Sequence, residues 1–115
     1  MNSPAMTYFV SLKSQAAWLR LTRTERAEFV RETVRPILAT YAQVRVRYYD
    51  AEAFTGRCTD MMVFETADTQ AYAFLFDALR DTAFFSLPYF EVLDIIPALE
   101  GGYEAYDQAL QSPQT

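Results

Sequence analysis

The sequence predicts an α+β fold of the ferredoxin-like kind, βαββαβ, with a four-stranded antiparallel sheet and a short C-terminal helix. Three observations predict it. Four short stretches read as strands: residues 6–13, 44–49, 59–66 and 90–96. Two stretches with helix-start signals and apolar residues at helical spacing lie between strands one and two and between strands three and four. Only a short loop, Ala51 to Arg57 with Gly56 inside it, joins strands two and three. That order is the split βαβ arrangement, which places both helices on one face of the sheet.

Taken in order, Met6 to Lys13 alternates. Met6, Tyr8, Val10 and Leu12 point one way, and Thr7, Phe9, Ser11 and Lys13 the other. Ser14 to Leu21 is a short connection whose Trp18 covers the edge of the core. Thr22-Arg23-Thr24-Glu25 has the form of a capping box, in which hydroxyl and carboxylate each satisfy the other residue's backbone N–H. Val30, Val34, Ile37, Leu38 and Tyr41 follow at helical spacing. Pro36 falls inside that run, removes one helical hydrogen bond and predicts a kink near Glu32–Arg35.

Val44 to Tyr49 sets Val44, Val46 and Tyr48 against Arg45, Arg47 and Tyr49. Thr59 to Thr66 is apolar on both faces, as a covered central strand would be. Asp68 caps the second helix, whose apolar side is Tyr72, Leu75, Phe76 and Leu79, and which ends near Asp81. Thr82 to Tyr89 reads as an aromatic loop. Phe90 to Ile96 is the fourth strand, with Pro97 as its stop. Gly101-Gly102 loosens the backbone, yet Leu99, Tyr103, Tyr106 and Leu110 repeat at helical spacing and predict the short C-terminal helix. The whole chain, residues 1–115, reads as one domain with an ordered part from about 6 to 110.

Composition bounds the function. Of 115 residues, 51% are apolar and 22% charged, enough for a packed core without staples. The net charge of −5 lacks the basic footprint that nucleic acid or an anionic membrane requires. There is no histidine, so the usual haem and zinc ligand and the usual neutral-pH proton carrier are missing. The expectation is therefore no cofactor and no metal. One cysteine, Cys58, excludes an internal disulfide and fits a reducing compartment. No apolar run reaches membrane-spanning length, and residues 1–6 do not resemble a secretory signal, so a cytoplasmic location is expected.

The sheet face away from the helices is expected to carry Phe9, Ser11, Arg45, Arg47, Tyr49, Met62 or Val63, Val92, Asp94 and Ile96. That mixture is too apolar to stay wet. A second copy is the simplest cover, giving a homodimer of the dimeric α+β barrel type.

Several segments resemble the darcynin family of small bacterial proteins: Trp18-Leu19-Arg20-Leu21, Thr24-Glu25-Arg26, Arg47-Tyr48-Tyr49-Asp50-Ala51-Glu52-Ala53-Phe54, Leu79-Arg80-Asp81-Thr82, Pro88-Tyr89-Phe90-Glu91-Val92 and Gly102-Tyr103-Glu104-Ala105-Tyr106. The likeness runs from about Thr7 to Leu110. It implies a compact bacterial domain and brings no reaction and no catalytic residues.

The candidate site is Arg45, Arg47 and Tyr49, with Asp94 and Asp60 facing them across the sheet. Two guanidiniums about 7 Å apart on one strand face can hold a carboxylate or phosphate. In the plainer interpretation, carboxylates simply pair with these arginines. Asp50 and Glu52, in the turn after strand two, suit capping better than acid–base work. Two functions compete. One is small-molecule binding, or cofactor-independent catalysis, on a small anionic or aromatic compound in a dimeric barrel. The other is a non-catalytic binding or regulatory module whose dimer face is purely structural.

Overall fold

In the computed structural model, which describes residues 5–111, four strands form one antiparallel sheet in the order β2-β3-β1-β4. They are β1 (Met6–Ser14), β2 (Arg45–Asp50), β3 (Asp60–Thr66) and β4 (Phe90–Leu99). This is the expected split βαβ topology, with β1 and β3 central.

The helices cover one face. The first helical layer is α1 (Ala16–Leu19), α2 (Arg23–Phe29), a π turn (Val30–Val34) and α3 (Arg35–Thr40). The second is α4 (Thr69–Arg80) with the short α5 (Ala83–Ser86). The capping box at α2 is formed: Thr22 N–H donates to Glu25 Oε1 at 2.8 Å, and Glu25 N–H donates to Thr22 Oγ1 at 3.1 Å. At Pro36 the helix is interrupted by a π turn. Proline has no N–H to give the Glu32 carbonyl. The ladder widens here, and Arg35 N–H reaches five residues back to the Val30 carbonyl. Asp68 caps α4 by accepting from Ala71 N–H at 3.0 Å.

Along β3 the side chains alternate strictly. Asp60, Met62, Phe64 and Thr66 are buried under the helices, while Met61, Val63 and Glu65 lie on the other face. Val10 and Leu12 of β1 and Leu75 and Leu79 of α4 complete the core and are almost wholly inaccessible. Tyr8 and Tyr72 stack with ring centres 3.7 Å apart, joining β1 to α4.

The structure departs from the sequence reading in several details, among them the helical turn α1 within the expected connection of residues 14–21. Residues 82–89 hold a helical turn, α5, capped by the Thr82 hydroxyl accepting from Phe84 N–H. Pro97 does not stop β4, which runs on to Leu99. β4 is an edge strand, where proline is tolerated better than in a central one. A bulge also breaks the β1–β4 register: Ser11 faces Asp94 but Leu12 faces Val92, leaving Leu93 as the extra residue. The shift turns Val92 towards the helices, where it packs on the core, while Asp94 stays on the open face.

The C-terminal helix α6 (Gly102–Gln111) follows Gly101, whose φ of 59° suits glycine. It has no buried residue, and Tyr103, Tyr106 and Leu110 are each about two-thirds exposed. The radius of gyration is 17.1 Å, against about 13 Å for a compact chain of this length. No described helix is long and apolar enough to cross a membrane.

Candidate functional site

The interior between the first helical layer and the sheet is not filled. A cavity of about 590 Å³ lies there. Its floor is buried and apolar: Leu12 of β1, Met62 of β3, Phe90 of β4, Val34 of the π turn and Phe84 of α5. Half-buried Phe29, Val30, Leu38 and Val46 make the sides, with Trp18 of α1. The Trp18 ring is fixed by Phe29, Tyr89 and Phe90, at centroid distances of 6.1, 5.3 and 5.0 Å. Arg35 and Tyr48 are the exposed members of the lining and form its rim.

Tyr48 projects to the helix side of β2, diagonal to Asp60 on β3, whose direct partner is Asp50. The Tyr48 hydroxyl donates to Asp60 Oδ1. Asp60 Oδ2 accepts from the Thr59 hydroxyl at 2.6 Å, and Thr59 Oγ1 in turn accepts from Ser14 N–H at 2.7 Å. A buried carboxylate thus has both oxygens satisfied, as burial of a charge demands. The Tyr48 pKa is pushed well above that of an ordinary phenol. Burial contributes most, then the bond to Asp60, then the charges of Asp60, Asp50 and Glu52. Tyr48 therefore stays protonated near neutral pH, with its hydroxyl donating to Asp60.

The predicted site residues divide between the two faces. Arg45, Arg47 and Tyr49 do share the open face, opposite Glu65, Val63 and Met61 of β3. Arg45 approaches Glu65 at 4.0 Å, a long and exposed ion pair. Asp94 is also on the open face but on the far edge strand, opposite Ser11. Three strand spacings separate it from β2, about 14 Å, so it does not meet the arginines within one chain. Its carboxylate accepts from Ile95 N–H at 2.8 Å. Asp60 does not face the arginines at all. It lies on the helix-covered face, because β3 alternation buries it with Met62 and Phe64.

On the open face, Arg47 and Tyr49 border a shallower trough of about 610 Å³, with Phe9, Val63, Glu65 and Leu99. Asp50 Oδ1 accepts from Glu52 N–H at 3.3 Å, a turn-capping role. Cys58 is a buried free thiol. Among the described residues, no three acidic, Cys or His side chains gather as metal ligands would.

Sequence reasoning missed the interior cavity, and with it Arg35 and Tyr48. The one available signal was Pro36, since the π turn it enforces supplies Val30 and Val34 to the wall.

Comparison with known proteins places this geometry. The darcynin pattern, described as a domain of unknown function, matches residues 1–112. The chain belongs to the darcynin family. It is 47% identical over 89 residues to Darcynin 1 of Acinetobacter baumannii, covering 77% of this chain and 99% of that protein. Among solved structures, a mutant chlorite dismutase from Candidatus Nitrospira defluvii superimposes with a TM-score of 0.73 at 14% identity. The match covers 99% of this darcynin-family chain and 52% of that one. The dimeric chlorite dismutase from Nitrobacter winogradskyi gives 0.63 at 20% identity, covering 86% and 60%. The chain thus spans roughly half the length of the solved structures it matches. At these identities the likeness concerns the ferredoxin-like fold alone.

Proposed function

We propose that this darcynin-family protein is a small-molecule-binding protein that works as a homodimer, with the cavity under α2 and α3 as its binding chamber. The observation that carries the proposal is the unfilled apolar space of about 590 Å³. A pocket of this size, with an apolar floor and a polar rim open to solvent, has the dimensions of a ligand site. Binding is favoured over catalysis by the side chains present. The lining holds no carboxylate, the chain holds no histidine, and the Tyr48 proton is committed to Asp60. Nothing there serves as a general base.

Two features support the second copy. The open face leaves Phe9, Tyr49 and Ile96 exposed beside half-buried Met61 and Val63 of β3. A ten-residue helix such as α6 is marginal alone in water, and its stripe of Tyr103, Tyr106 and Leu110 has no cover. In this reading the open face, with Arg45, Arg47, Tyr49 and Asp94, is an interface between copies. A two-fold contact there sets this same charged face of one copy against that of the other. The buried thiol of Cys58 suits a reducing, cytoplasmic setting.

A second reading places a ligand in the open-face trough beside Arg47 and Tyr49, closed by the partner copy. The two are separated by Val46→Phe, which fills the helix-side cavity from β2. Thermal denaturation with a panel of apolar and aromatic compounds is the readout. Wild-type protein should be stabilised by some of them. Val46→Phe should fold and lose that response. A response retained by Val46→Phe but lost in Arg47→Ala would move the site to the trough.

A further inference from the structure

Building on that binding reading, we infer that the cavity takes an apolar monocarboxylic acid, with the carboxylate on Arg35 and the hydrocarbon body on the buried floor. The inference rests on which polar groups of the wall are already used. Arg35 sits at the rim, and among the described residues the ion pairs are Arg31–Glu32 and Arg45–Glu65. Among the described residues its guanidinium has no side-chain or carbonyl partner. Nearby Arg26 differs: its Nε and Nη2 donate to the Trp18 and Leu19 carbonyls at 3.2 and 3.0 Å. Arg26 is a structural clamp and Arg35 is not.

The remaining rim group, Tyr48, donates its hydroxyl hydrogen bond to Asp60 and presents only oxygen lone pairs. Among the described residues that line the wall there is one unpaired cation, a forked donor, and no carboxylate. A carboxylate fits that fork with two parallel bonds. A phosphate would bring a second negative charge to a site with one cation, in a chain whose net charge is −5. The floor residues Leu12, Met62, Phe84 and Phe90 offer no hydrogen bonds, so the rest of the molecule must be apolar.

Trp18 is the only tryptophan and lines the cavity, so its fluorescence reports occupancy. The full chain is titrated near neutral pH with 4-phenylbutyrate and with its neutral counterpart, 4-phenylbutyramide. The same titrations are run on Arg35→Met, which keeps an apolar stem, and on Arg31→Met, which loses an equal charge outside the cavity. Both arginines are exposed, and circular dichroism checks that the variants fold.

The acid should bind at least about tenfold more tightly than the amide. Arg35→Met should remove that preference and leave amide binding unchanged, and Arg31→Met should keep the preference. Equal binding of acid and amide by the wild type, or acid binding unaffected by Arg35→Met, would overturn the carboxylate assignment while leaving a ligand cavity. Failure of both compounds to bind would overturn the assignment and count against the cavity reading too.

Discussion

Tyr48 and Asp60 are joined across two strands by a hydrogen bond from an exposed residue to a buried carboxylate. They form a diagonal pair on the helix side of the sheet, one step from the direct pairs Tyr48–Met62 and Asp50–Asp60. The bond fixes the phenol at the cavity rim and satisfies half of a charge that would otherwise be buried unpaired.

Tyr48→Phe should therefore destabilise the protein although it deletes only an exposed residue's hydroxyl. Asp60 would keep the Thr59 hydroxyl and lose its other donor. The expected cost is about 1.5–2 kcal/mol, the lower part of the range for bonds to charged groups because the pair is only partly buried. Urea denaturation of the two proteins measures it. An unchanged midpoint would mean that water replaces the phenol at Asp60 without loss.

Stability should fall in alkaline solution, and Tyr48 should contribute to the fall. Its folded pKa lies above the unfolded value of about 10. Tyr72 is likewise pushed up to about 12, by burial first and by the adjoining Tyr8 second. A raised folded pKa gives a stabilising contribution that is complete below about pH 10. It is lost as pH rises through the folded value, because the unfolded chain releases protons that the folded chain retains. Melting temperatures followed from neutral to strongly alkaline pH should decline above about pH 10. The decline should be shallower in Tyr48→Phe and in Tyr72→Phe, and parallel curves for all three proteins would contradict the assignment.

Tyr106→Asp and Ile96→Asp should lower the oligomeric state without unfolding the chain. Both positions are exposed, one on α6 and one on the open face of β4, so neither substitution buries a charge in the monomer. Buried in a two-fold contact, each would place an unpaired carboxylate in the interface twice over. Light scattering over a concentration series should show a dimer for the wild type and dissociation for the variants. A wild-type monomer would remove the partner copy from the account and leave α6 unexplained.

Much of the fold was legible because local signals agreed with one another. The alternation in β1 and β2, the Thr22–Glu25 box and the Asp68 cap each marked an element that formed where expected. The departures have specific causes. Period-two alternation could not tell which side of β3 is open, because Met61, Met62, Val63 and Phe64 are all apolar, and so Asp60 was assigned to the wrong face. The β4 bulge reversed Val92, and no residue type announces such a bulge. Pro97 was tolerated because β4 lies at the edge, and strand order is a global property. The cavity was hidden for a related reason. Helical spacing showed that Val30, Val34 and Leu38 face inward, but it carries no information about whether the space they face is filled.

The most direct test is native mass spectrometry of the full chain sprayed with and without added 4-phenylbutyrate. A two-subunit species should gain up to one acid per subunit, with the gain abolished in Arg35→Met. A one-subunit species that gains no acid would contradict this, because both the partner copy and the occupied cavity would then be absent.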